Sequence, residues 1–184
     1  ADGYMGAYMV EMGSAIVAEA GRQYLEMERS QAVADLGREG LRRVVADIES
    51  DLALMGIHYN RWFSEASLYH DGTYDTAIAI LERGGYLEQH DGALWFKASA
   101  FGVNKDEVVV RSDGTPGYFA SDIAYHYDKF VLRGFDRVID VWGADHQGHV
   151  PRMHAMLQGL GIDPQRLTIL LYQLVTLKRS GEIV

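Results

Sequence analysis

Hydrophobic positions recur at intervals of three and four along the first part of the chain. Met5, Met9, Met12 and Ile16 predict a helix over Tyr4 to Ala20, weakened slightly by Gly13. Leu41, Val44, Val45, Ile48, Leu52 and Met55 form one stripe and predict a second helix, Ala34 to Gly56. Arg38, Arg42, Arg43, Asp47, Glu49 and Asp51 fall largely off that stripe, as a solvated face should. Both helices read as packing elements. From Ile57 to Leu68 the pattern turns irregular and aromatic, and Arg61-Trp62 reads as packing with an exposed guanidinium. Tyr74, Ala77, Ile78 and Leu81 then place a short helix over Thr73 to Arg83, stopped by Gly84-Gly85.

The period next changes to that of strands. Tyr86 to Gln89 and Ala93 to Phe96 flank His90-Asp91-Gly92, a hairpin signal. Val108 to Val110 predicts another strand, running into an Asp113-Gly114 turn. Val138 to Trp142 reads as a core strand, and Pro151 to Leu160 as a helix ended by Gly161. Thr168 to Tyr172, inside the apolar run Leu167 to Leu177, suits a buried parallel strand. Strand, helix and strand thus recur between Arg137 and Tyr172. That is a βαβ unit, and it makes the chain α/β.

Composition excludes several classes. With 184 residues the chain holds one domain or two small ones, and 48% hydrophobic residues suffice for a core. No cysteine is present, which rules out disulfides and thiolate metal sites and permits a cytoplasmic setting. The formal charge of −9 lacks the basic footprint of a free-standing nucleic-acid binder. No apolar run approaches membrane-spanning length, and no leader-like pattern opens the chain. Walker, G-x-G-x-x-G and G-x-S-x-G patterns are missing.

Candidate chemistry gathers between Arg111 and His149. Tyr118 and Asp122 stand four apart and share one face of a helix start. A phenol beside a carboxylate suits a cationic head group, best of all a planar guanidinium. The plainer reading is that Asp122 favours the positive end of its own helix. Asp145, His146 and His149 directly follow the Val138 to Trp142 strand. Three possible ligands in five residues suit a metal. A carboxylate at a strand end equally suits the hydroxyls of a ribose. Gly143 and Gly148 would let backbone approach a ligand closely.

RSDGTPGYFASDIAYHYDKF followed by RGFDRVIDVWGADHQGHVPRM resembles bacterial arginyl-tRNA synthetases. The likeness continues upstream through FSEASLY and DGALWF, downstream through LGIDPQRLTILLYQLVTLKRSGEIV, and more loosely to YMGAY, so it covers essentially the whole chain. It implies a class I synthetase, a cytoplasmic ligase that activates arginine with ATP and transfers it to tRNA(Arg). The implied fold is the second half of a Rossmann-like catalytic domain with parallel strands and helices over residues 85–184. A mainly helical inserted region over residues 1–84 precedes it.

By the same resemblance Tyr118, Asp122 and His146 would bind arginine. His146 matches a position where a related synthetase has Gln. Gly143, Asp145 and His149 would bind ATP, and the backbone around Gln173 to Val175, with Val175 itself, would flank adenine. Mg2+ would accompany ATP in the full-length enzyme, and no protein-bound metal is implied. Gly117 departs from the family's TPxY, where a side chain is usual, and His149 stands where Tyr is common. The HIGH and KMSKS-like motifs are missing and would lie before Ala1 and after Val184. No catalytic residue is therefore expected within the chain, which should be inactive alone, bind little tRNA and tend to self-associate. A stand-alone small-molecule binding module and a metal-dependent hydrolase using Asp145, His146 and His149 are the competing readings.

Overall fold

The computed structural model describes residues 6–173 and 175–183. Contacts divide the chain into two compact units, Ala1–Trp62 and Phe63–Val184. This boundary lies upstream of the residue 84/85 division expected from sequence, because the Thr73–Arg83 helix packs with the second unit.

In the first unit helix α1 (Ala7–Ala20) is followed by helix α2 (Arg29–Leu54). Tyr4 and Met5, at the start of the helix expected from sequence, lie outside the described residues. Helix α2 begins five residues before the expected Ala34, because the Glu28 carboxylate accepts from the Gln31 N–H at 3.1 Å and caps the earlier turn. Arg43 joins the two helices, donating to Glu39 within α2 and to Glu19 on α1. Burial in this unit is slight, with only Ile16 and Ala32 fully covered among the described helical residues. Leu41, Val44, Ile48 and Met55 of the α2 stripe are exposed, so the packing face predicted for α2 has little to pack on within the unit.

The second unit holds the core. A short helix α3 (Ser67–His70) leads into α4 (Thr73–Arg83), which falls where the periodicity places it. Strands β1 (Leu87–His90), β2 (Ala93–Phe96) and β3 (Glu107–Val110) form an antiparallel meander. Asp91 and Gly92 both have positive φ (50° and 75°), as the mirror-image two-residue hairpin turn requires. A turn through Asp113, whose carboxylate accepts from the Thr115 N–H and hydroxyl, delivers helix α5 (Tyr118–Tyr127). A wider π-type turn, Asp128–Leu132, follows α5 directly.

Strand β4 (Val138–Gly143), helix α6 (Val150–Gly159) and strand β5 (Leu167–Tyr172) complete the βαβ unit. β4 and β5 pair in parallel, Val138 with Leu167 through Gly143 with Tyr172. A small hairpin, β6 (Lys178–Arg179) and β7 (Glu182–Ile183), was not foreseen. Leu81, Phe96, Val109, Ile123, Met153, Met156 and Leu157 form the buried centre between the meander, α4, α5 and α6.

The expected burial of β4 and β5 is only half met. Val138 and Leu167 are in the core, but Ile139, Val141, Leu170 and Tyr172 are exposed, Val141 to 63%. Side chains alternate across a strand, and only one face of this two-stranded sheet is covered among the described residues. No helix among the described residues is long and apolar enough to cross a membrane.

Candidate functional site

Helix α5 supplies one wall of a cleft. Tyr118 is its first residue and stands 85% exposed, with the Arg111 guanidinium 6.0 Å from its ring centroid. Gly117 caps the helix without a side chain. A Cβ there would sit 3.1 Å from the Val108 carbonyl oxygen, so a side chain at this departure from the family pattern would press on β3. Asp122 lies one turn further on, as the fifth helical residue, past the first turn where free N–H groups lie. It therefore cannot cap the helix. Its carboxylate is half-buried and makes no side-chain hydrogen bond or ion pair among the described residues. Burial raises its pKa, opposed by the charges of His126, Arg152 and Lys129, while Asp140 adds to the rise.

Asp122 and Tyr118 line two cavities. One, of about 260 Å³, lies toward Phe63, Glu65, Ser121 and Tyr125. The other, of about 300 Å³, lies toward Trp142, His146, His149 and Arg152. The Tyr125 ring stacks on Phe63 at 4.4 Å, making an apolar side to the first cavity, and Glu65 adds a second carboxylate there. Tyr69 and Ser121 are hydrogen-bonded at 2.7 Å beside it. Paired carboxylates, a phenol and an aromatic surface match a flat cation with several N–H donors.

The end of β4 supplies the other wall. Gly143 ends the strand, and Ala144–His149 form a 3-10 turn leading into α6, with Pro151 in its first turn. The Asp145 carboxylate folds back over Gly143, where an added Cβ would collide with it. Gly148 faces open space by the same measure. His146 lies 3.5 Å from Asp145, and its ring meets Trp142 and His149 edge-on at 6.3 and 5.4 Å. Burial lowers the His149 pKa, helped by the charges of Arg152 and His146, and so favours a neutral ring. Asp145, His146 and His149 do not converge as ligands. No group of three or more acidic or histidine side chains among the described residues is placed to hold a metal. Val175 is exposed beyond the end of β5, and Leu174, between it and Gln173, lies outside the described residues.

Two cleft residues escaped the sequence reading. Glu65 sits in an irregular stretch with no periodicity to orient it. Arg152 lies one turn after His149, pairs with Glu107 at 2.6 Å and keeps a buried Nε without a partner. Beneath the cleft, Asp140 of β4 faces the second half of α5. Its Oδ2 is 2.8 Å from His126 Nε2, and its Oδ1 accepts from Lys129 Nζ at 2.8 Å. Burial alone would raise the Asp140 pKa, but the His126 and Lys129 contacts outweigh it and hold it at about 2.

Residues 14–176 match the family model for class I tRNA synthetases (R), catalytic domain. The chain is 54% identical over its whole length to an arginine–tRNA ligase from Dehalococcoides mccartyi and 48% identical to one from Desulforudis audaxviator. It spans about a third of each, 33% and 32% respectively. A Campylobacter jejuni structure assigned as an arginyl-tRNA synthetase superposes with a TM-score of 0.85 at 32% identity, over 98% of this chain and 39% of that one. Thermus thermophilus arginyl-tRNA synthetase superposes with a TM-score of 0.66 at 19% identity, over 89% of this chain and 34% of that one, and shows the shared fold.

Proposed function

This chain belongs to the catalytic-domain family of class I arginyl-tRNA synthetases, and we propose that its cleft forms the arginine pocket and part of the ATP pocket of an arginine–tRNA ligase. The ligase reaction joins the arginine carboxylate to the α-phosphate of ATP, releases pyrophosphate, and then transfers the arginyl group to tRNA(Arg). The observation that supports the reading best is Asp122, a half-buried carboxylate without a side-chain partner, set beside Tyr118 on a face that lines both cavities. A buried, unpaired charge is costly, and a ligand guanidinium would remove that cost. Glu65 would add charge at the rim, and His146 would lie on the far side of the same pocket.

The nucleotide side is read from the end of β4. In open α/β sheets ligands bind beyond the carboxyl ends of the strands, and an acidic residue there takes ribose hydroxyls. Asp145 fits that role, with Gly143 beneath it and His149 at the mouth of α6, while Val175 would lie toward adenine. Mg2+ is expected to arrive with the ATP phosphates, and no described residue is assigned to it. The tRNA is assigned to parts of the ligase beyond this chain, in a cytoplasmic enzyme. The open apolar face at Ile139, Val141 and Leu170 supports self-association of the chain on its own, which sedimentation at rising concentration would report.

The substrate assignment is tested with citrulline, which keeps the shape of arginine and lacks its charge. In the full-length ligase carrying this chain, arginine should support ATP–pyrophosphate exchange and citrulline should not. Equal exchange with citrulline would overturn the guanidinium assignment.

A further inference from the structure

Asp140, His126 and Lys129 line neither cavity, yet they are the most buried ionic group of the second unit. Nothing in the ligand reading uses them. A buried ionic cluster is also a poor way to gain stability, since apolar side chains of similar size usually serve as well or better. Its geometry is directional. The two carboxylate oxygens of Asp140 take different partners, His126 on one and Lys129 on the other, each at 2.8 Å.

Both partners continue to the cleft. His126 Nδ1 lies 2.8 Å from the backbone oxygen of Asp122 and donates to it across one helical turn. Lys129 Nζ lies 4.6 Å from the centroid of Tyr125, the ring that stacks on Phe63 in the cavity wall. Lys129 comes from the π-type turn after α5, a local widening that often marks functional positions. On the strand side, Asp140 and Trp142 share one face of β4, since alternate residues do, and Trp142 lines the second cavity. The loop carrying Asp145 and His146 follows immediately.

We propose that Asp140, through His126 and Lys129, is a positioning residue that sets the α5 wall, with Asp122 and Tyr125, against the β4 end that faces it. The proposal rests on the arginine and ATP reading above. Two substrates that must meet need their binding walls held in one spacing, and a displacement of about 1 Å can lower a rate on the order of 100-fold while each substrate still binds.

The test uses the full-length ligase carrying this chain, with Asp140→Asn and the double variant Lys129→Met/Asp140→Leu, which removes one charge of each sign. Arginine-dependent ATP–pyrophosphate exchange should lose about 10- to 100-fold in kcat, while KM for arginine and for ATP stays within about threefold. The double variant leaves the buried His126 Nε2 without its Asp140 and Lys129 partners, so it should fold but melt below the parent. Unchanged kcat in the folded double variant would overturn the proposal. So would a raised arginine KM at normal kcat, and so would failure of the double variant to fold, which would give the cluster to the fold alone. Asp122→Asn, run alongside, separates the two readings. If it leaves arginine kinetics untouched, the arginine assignment falls whatever Asp140 does. If it harms arginine use while the Asp140 variants do not harm kcat, only the positioning role falls.

Discussion

The cleft has two walls, each with an aspartate, and the two are built differently. Asp122 on α5 is half-buried and stands above a buried ionic cluster that grips its own backbone. Asp145 sits on a 3-10 turn, its side chain 73% exposed, with the His146 Nε2 at 3.5 Å. A carboxylate that must select a permanent cation gains from low dielectric and a fixed position. A carboxylate that only accepts from hydroxyls can remain wet and be placed by its ligand. The difference predicts that substitutions on the α5 wall act strongly and on arginine alone. Substitution of Asp145 on the β4 wall should act weakly and on ATP.

The largest expected effect is Asp122→Asn in the full-length ligase. Charge-assisted hydrogen bonds are worth about 1.5–3 kcal/mol each, so kcat/KM for arginine should fall on the order of 10- to 100-fold with KM for ATP little changed. Steady-state kinetics with both substrates varied checks this. An early thermal melt with normal arginine constants would instead make Asp122 a structural residue.

Protonation sharpens the same contrast. Burial raises the Asp122 pKa, so Asp122 takes a proton at a higher pH than an ordinary aspartate. His126, Lys129 and Arg152 oppose that rise and Asp140 adds to it. As pH falls through the raised value, the charge proposed to hold arginine is lost. The kcat/KM profile for arginine should therefore turn down early on its acid limb, and Asp122→Asn should flatten that limb. Asp140 behaves oppositely. Its pKa is held at about 2, so the stability it contributes is present above the ordinary aspartate value and is lost as pH falls through about 2. That contribution is roughly 2 kcal/mol. Acid unfolding of the parent and of Asp140→Asn, compared between pH 5 and pH 2, should converge toward the low end.

Much of this architecture was legible in the chain because it is locally encoded. The Thr73–Arg83 helix, the Asp91-Gly92 hairpin and the βαβ order each rest on neighbours a few residues apart. The true start of α2 was missed because a glutamate, rather than Ser, Thr, Asp or Asn, caps it. The half-exposed sheet was missed because periodicity reports which residues are apolar, and the coverage of each face depends on distant elements. The Asp140 cluster was illegible for a related reason. His126, Lys129 and Asp140 belong to a helix, a π-type turn and a strand, and only packing brings them together. Asp122 was visible as a residue but ambiguous as a role. Its place as the fifth helical residue, past the first turn, weakens the reading that it favours the positive end of its own helix.

On the β4 wall, Asp145→Asn should raise KM for ATP by less than about tenfold and leave arginine constants alone, since exposed charges are screened. A loss as large as that of Asp122→Asn, or one shared equally by both substrates, would erase the contrast between the walls.

The smallest effect expected is that of Gly143→Ala, and it probes how Asp145 is placed. Gly143 has φ −64° and ψ 147°, a conformation open to alanine, so the backbone has no need of glycine there. The obstacle is the Asp145 carboxylate, which a new Cβ would displace. That carboxylate is the end of a short exposed side chain, so it can swing aside at little cost to folding. The melting temperature should therefore hold. Moving the acceptor should raise KM for ATP about two- to threefold, which is less than 1 kcal/mol. Combined with Asp145→Asn the substitution should add almost nothing, because the group it moves is already altered. Full additivity in that double-mutant cycle would mean that Gly143 serves the nucleotide by a route other than Asp145.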